Sequence, residues 1–104
     1  MNVNEAFILA CLALSKLDKV SALCKTVNFF NEKQYPIPTF VVHEQDGMYK
    51  CPAINKCISS LISEGCVSTV GISGRYIVTQ KGYDALSENK HKVLTSVAIS
   101  LNQL

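Results

Sequence analysis

Histidine is scarce in this chain, and the two present, His43 and His91, stand in no nucleophile, metal or acid–base constellation. No glycine-rich phosphate loop, no His-Glu-x-x-His and no Cys-x-x-Cys pair occurs, which removes the common hydrolytic, nucleotide-binding and zinc signatures. Asp84 and Glu88 fall four apart on one helix, an arrangement that ordinary solvated surfaces also produce. The expectation is a protein that is not an enzyme, with no metal and no cofactor. Long hydrophobic runs are missing too, so no segment is expected to cross a bilayer. Ala6 to Leu14 is apolar enough for a signal-peptide core, and Ala10-Cys11 suggests a lipoprotein site. Glu5 precedes that run and no Lys or Arg does, which is wrong for a secretory leader. A buried helix is the better expectation.

Disulfide scaffolding is likewise not indicated. The five cysteines, at 11, 24, 51, 57 and 66, are odd in number and unpaired in spacing, as expected in the reducing cytoplasm. Cys11, Cys24, Cys57 and Cys66 fall at apolar positions, where free cysteine packs as a small hydrophobe. Cys51 is the one expected to be exposed. A redox or metal sensor built on Cys51, Cys57, Cys66 or His43 is the less economical reading.

Charge is low, at 17% of residues and a net +2, too little to announce nucleic-acid binding by itself. Its distribution says more. Residues 1–46 hold four Lys/Arg against five Asp/Glu, and residues 47–104 hold six against three. The positive surplus therefore lies in the second half, as a phosphate-facing side requires.

Apolar residues make up 48% of the chain, enough for one globular domain at this length. The organising stretch runs from Leu61 to Gly82. Gly65 follows the last apolar helical positions, Leu61 and Ile62, where a left-handed residue commonly ends a helix. Val67, Thr69 and Val70, then Tyr76, Ile77 and Val78, are strand-formers on either side of Gly71-Ile72-Ser73-Gly74, a hairpin signal. Thr79 can cap the helix that follows. Upstream, Pro52 suits the first turn of a helix over 52–64, with Ile54, Cys57, Ile58, Leu61 and Ile62 inward. Its other face, Ala53, Asn55, Lys56, Ser59, Ser60 and Ser63, is almost free of carboxylates, unlike a typical solvated helix surface.

Helix, hairpin and helix in so few residues describe a winged helix-turn-helix. The residues carry a family resemblance as well. Leu61-x-x-Glu-Gly-Cys-Val is similar to the motif that ends the recognition helix in MarR-like and PadR-like transcriptional regulators. Tyr76-Ile-Val-Thr-Gln-Lys-Gly-Tyr-Asp-Ala-Leu86 resembles their "Y-x-L-T-x-x-G-x-x-x-L" after the wing. The likeness covers about a third of the chain, Cys51 to Leu86. It implies a mainly α fold with a small β-hairpin wing (α+β), flanked by N- and C-terminal helices.

The predicted layout is a single domain over 1–104. Residues 1–33 form N-terminal helices (3–14, and about 17–33, with Asp18 as cap or first-turn acid). Residues 34–50 form an insertion or a short helix. Then come a recognition helix over 51–64, a wing over 65–79 and a C-terminal helical segment over 80–104. Tyr35-Pro-Ile-Pro38 cannot be helix interior. Residues 39–50 admit a short helix capped by Thr39, or a hairpin across Asp46-Gly47; β-branched and aromatic content leans to the hairpin.

Double-stranded DNA is the partner this layout implies. Asn55 suits adenine and Lys56 suits guanine or phosphate in the major groove. Lys50, Ala53, Ser59, Ser60 and Ser63 complete the helix-borne face, Arg75 serves the wing and Lys81 extends the phosphate track, with Lys90 and Lys92 beyond. The last helix is read with Tyr83 and Leu86 inward. Leu94, Val97, Leu101 and Leu104 recur at helical spacing and, with the greasy first helix around Phe7, are read as a homodimer interface. An effector pocket, if present, would lie at that interface. A protein-binding winged helix without DNA contact is the alternative. An apolar patch among these residues is the feature that would favour it.

Overall fold

A computed structural model describes residues 1–15 and 17–93 of the chain. Among them the order is α1 (Val3–Leu14), α2 (Val20–Glu32), β1 (His43–Gln45), β2 (Met48–Lys50), α3 (Pro52–Ser63), β3 (Val67–Val70), β4 (Arg75–Val78) and α4 (Gln80–Glu88). The result is an α+β fold in which helices carry the core and two separate antiparallel hairpins decorate it. No described helix is long and apolar enough to cross a membrane.

The first helix begins at a reciprocal cap. Asn2 accepts from the Glu5 N–H at 2.8 Å, and the Glu5 carboxylate accepts from the Asn2 N–H at 2.9 Å, so two orphan donors of the first turn are satisfied. Eight consecutive residues, Ala6 to Ala13, are buried. A helix apolar all round needs neighbours on every side, and α1 finds them within its own chain: α3, α4 and β4 pack against it, and Phe40 sets its ring 5.8 Å from that of Phe7. Phe7 is wholly buried in this way, which corrects its expected place in a dimer interface. Val93 is buried in the same core. Leu94, Val97, Leu101 and Leu104 lie outside the described residues.

The second helix starts at Val20, three residues later than expected. Residues 17–19 are not helical, and the Asp18 carbonyl accepts from the Tyr76 N–H at 2.8 Å, tying this connector to β4. The Asp18 carboxylate does not cap α2; it faces Arg75 at 3.7 Å. Leu23, Cys24, Val27 and Phe30 form the buried stripe of α2.

After α2 the chain runs through Tyr35-Pro-Ile-Pro38 without regular structure and then forms the hairpin, not the short helix. Asp46 and Gly47 both have positive φ, 53° and 78°, as a two-residue turn matched to strand twist requires. Tyr49, paired with Glu44, packs on the core, while the flanking pairs His43 with Lys50 and Gln45 with Met48 are exposed.

The third helix has Pro52 at its first position and buries Ile54, Cys57, Ile58 and Leu61. Ile62, expected inward, is 38% exposed. Cys51 is the reverse case: expected at the surface, it is buried at 1% exposure. As the extended residue before α3 it belongs to the chain's turn from surface hairpin into core, and it joins Cys24 and Cys57 in the same apolar cluster. The end of α3 is a complete left-handed cap. The Cys66 N–H donates to the Leu61 carbonyl at 2.8 Å and the Gly65 N–H to the Ile62 carbonyl at 3.0 Å, with Gly65 at φ +78°, the pairing of a Schellman motif.

Candidate nucleic-acid interface

The expected contact residues divide by the turn of α3. At ~100° per residue, Pro52, Asn55, Lys56, Ser59, Ile62 and Ser63 fall within about 120° of its circumference, and all are exposed. Ala53 and Ser60 lie round the flank and are half-buried, with Ala53 packed on the core; both leave the expected contact face. Among the described residues, Asn55, Lys56, Ser59 and Ser63 use their side chains for no hydrogen bond or ion pair within the chain. Their donors and acceptors are free for a partner. The stripe carries no carboxylate; the first one on α3 is Glu64 at its C-cap.

Lys50 ends β2 two residues before Pro52 opens α3, and it is exposed. On β1–β2 the face bearing Lys50 continues through His43, Gln45 and Met48, all exposed. Sequence reasoning did not place His43, Gln45 and Met48 beside Lys50 on one exposed face. Their alternation with Tyr49 was the signal available, once the segment was read as a hairpin.

The second hairpin presents two faces as well. Val67, Val78 and Tyr76 turn inward, while Ser68 with Ile77 and Val70 with Arg75 turn outward. Arg75 stands on this outer face, yet its Nε lies 3.7 Å from the Asp18 carboxylate, each side chain about half exposed. That surface pair contributes little to stability, but it partly neutralises the hairpin's only cation. Lys81 does not join Lys50. Its side chain lies over Gly65, at the C-terminal end of α3, where a cation complements the helix dipole. Roughly 18 Å of helix separates the two lysines.

Thr79 and Gly82 explain why the hairpin is held at a set angle to α3. The Thr79 N–H donates to the Cys66 carbonyl at 3.0 Å and its hydroxyl to the Gly65 carbonyl at 2.6 Å, while the hydroxyl accepts from the Gly82 N–H at 3.0 Å. One side chain thus caps α4 and ties it to the end of α3. Gly82 is the buried position of α4, so close to the Cys66 carbonyl and to Val78 of β4 that the inward line runs through Gly82, Ala85 and Leu86. Tyr83, expected inward, is rotated out and 48% exposed.

No protein-family model, curated protein or solved structure matches the chain.

Two other features bear on chemistry. A cavity of about 250 Å³ is lined by Leu12, Asp18, Tyr76, Ile77, Val78 and Tyr83, where α1, β4 and α4 meet. All five cysteines are free thiols and buried, and burial holds Cys11, Cys24, Cys57 and Cys66 above the ordinary thiol range. Such thiols are protonated at neutral pH and are poor nucleophiles. Among the described residues no three His, Cys, Asp or Glu gather as a metal site.

Proposed function

We propose that this protein is a winged helix-turn-helix regulator of transcription, of the kind MarR-like and PadR-like proteins represent, that binds double-stranded DNA. In this reading α2 and α3 are the helix-turn-helix, with β1–β2 inserted in the turn, α3 is the recognition helix and β3–β4 is the wing. The observation that supports it is the exposed, carboxylate-free stripe Asn55, Lys56, Ser59 and Ser63 on α3, with the exposed Lys50 two residues ahead of the helix. Asn55 and Lys56 sit in the first half of α3, the part of a recognition helix that meets base edges. Asn offers the paired donor and acceptor that adenine needs, and Lys donates to guanine or to phosphate. Ser59, Ser63 and Lys50 hold the backbone and set register. The protein acts as a homodimer on a two-fold site, joined through Leu94, Val97, Leu101 and Leu104, and works in the cytoplasm.

A specific observation favours a second reading, a protein-binding module. Val70, Ile72 and Ile77 on the second hairpin and Tyr83 beside it are exposed apolar groups, the kind of surface that meets another protein.

Binding of mixed duplex DNA across a salt series, with the mass in solution measured alongside, separates the two. The DNA reading expects affinity that falls steeply with salt. Lys56→Ala with Arg75→Ala should weaken binding and flatten the log–log salt slope by about two, without lowering the melting temperature, because both side chains are exposed. Unchanged affinity removes both residues from the interface. No duplex binding at low salt transfers the face to a protein partner.

A further inference from the structure

The cavity where α1, β4 and α4 meet has Ile77 and Tyr83 among its walls. These two are 53% and 48% exposed, so its mouth is an apolar patch on the surface. Leu12 and Val78 give it an apolar floor. Asp18 is the one charged residue of the lining, and its carboxylate already faces Arg75 at 3.7 Å. The lining therefore holds no cation for a phosphate backbone and no unpaired charge for an ionic ligand. What fits it is an uncharged, apolar chain.

This protein carries such a chain. Residues 94–104 contain no Asp, Glu, Lys or Arg and repeat Leu94, Val97, Leu101 and Leu104 at helical spacing. Where that stretch sets out decides whose cavity it reaches. Tyr83, in the first turn of α4, shares the cavity with Leu12, near the end of α1. From there the chain runs back along α1. Its helix α4 packs on α1, the Lys92 ammonium donates to the Met1 carbonyl, and Val93 enters the core. Residue 94 thus starts at the opposite end of α1 from the cavity, about 15 Å away. The spacing predicts a helix about 16 Å long. Turning back on its own chain takes about four residues, and the helix left, about 10 Å, falls short. The cavity of a second copy has no such constraint.

We propose that residues 94–104 of each copy dock on the Ile77–Tyr83 patch of the other, with a leucine side chain entering the cavity over Leu12 and Val78. The dimer is then made by a two-fold exchange of C-terminal arms, each copy giving one and receiving one, and not by pairing of the two arms with each other. The inference rests on the homodimer reading of residues 94–104.

The test uses the full chain, its mass followed by sedimentation across a concentration series. Wild type should be a dimer. Ile77→Thr with Tyr83→Gln in the patch, and Val97→Asp with Leu101→Asp in the arm, should each raise the dissociation constant at least about tenfold. Both should keep the helical spectrum of wild type. Cross-linking then reads which surfaces meet. The native cysteines are all buried, so a bismaleimide reaches only introduced ones. Ser87→Cys, one turn beyond Tyr83 on α4, should join to Ser100→Cys when the two single variants are mixed. A wild-type dimer that the patch variant leaves intact overturns the exchange while the homodimer stands. Ser100→Cys joining only to itself does the same and assigns the contact to arm pairing. A chain carrying both cysteines that closes the link within one monomer also overturns the exchange, because the arm then lies on its own body. A wild type that stays monomeric throughout overturns the homodimer reading and the exchange together.

Discussion

Gly82 stands at the third position of α4 with ordinary helical backbone, so space and not conformation explains it. A Cβ placed there would lie 2.1 Å from the Cys66 carbonyl oxygen and 2.7 Å from Val78 Cγ1. Non-bonded carbon and oxygen need over 3 Å, so α4 has to retreat by about 1 Å. That movement strains the Thr79 bonds to Cys66 and Gly65 and the cap on Gly82. Opposing terms set the magnitude of Gly82→Ala. Alanine is favoured over glycine in a helix by about 1 kcal/mol. Overpacking costs about 1–3 kcal/mol, a lost cap about 1 and a broken hydrogen bond about 1. The net expectation is a loss of about 2–4 kcal/mol. In a domain of this size that lowers the melting temperature by at least about 10 °C. Thermal and urea unfolding followed by circular dichroism measure it directly. Gly74→Ala is the comparison: its backbone is left-handed at φ +73° but nothing lies within 4 Å of the added carbon, so only about 1–2 kcal/mol is at stake. A Gly82→Ala protein that melts at or above the wild type refutes the close approach, and with it the account of how the hairpin is held.

Two more outcomes are expected. Burial pushes the Cys11 thiol up to about 12, and burial with the neighbouring Glu5 and Cys51 charges pushes Cys57 up to about 11, from 9.0. The folded state keeps these protons where the unfolded chain has released them, so their stabilisation is whole below pH 9 and falls as pH rises toward 11 to 12. Urea midpoints should be level between pH 6 and 8 and decline above about pH 9; Cys11→Ala with Cys57→Ala should flatten that decline, and an unchanged decline would assign it to other groups. Separately, Phe7→Ala should cost about 3–5 kcal/mol of folding stability, while a chain ending at Val93 should keep its helical spectrum and sediment as a monomer. A truncated chain that still dimerises places the interface elsewhere.

What was legible in the sequence was local. The end of α3 at Gly65, the hairpin about Gly71 and Gly74, the cap at Thr79 and the start of α3 at Pro52 all follow from sterics and hydrogen bonds between residues a few positions apart. The turn at Asp46-Gly47 belongs with them, although a short helix capped by Thr39 stood open as an alternative. The polar stripe of α3 was legible for the same reason, since helical spacing alone puts Asn55, Lys56, Ser59 and Ser63 on one side. Tertiary structure decided the rest. Nothing near Phe7 in sequence says that Phe40 will cover it, so an all-apolar helix reads equally as core or as interface. Cys51 is drawn inward because the chain must pass from a surface hairpin into a buried helix. Arg75 meets Asp18 only because the α1–α2 connector is tied to β4. Tyr83 is turned to solvent by the close approach at Gly82, and Lys81 lies over Gly65 for the same reason. Each of these depends on which distant segment arrives to fill a given volume, and close packing admits one such arrangement that no short window of sequence contains.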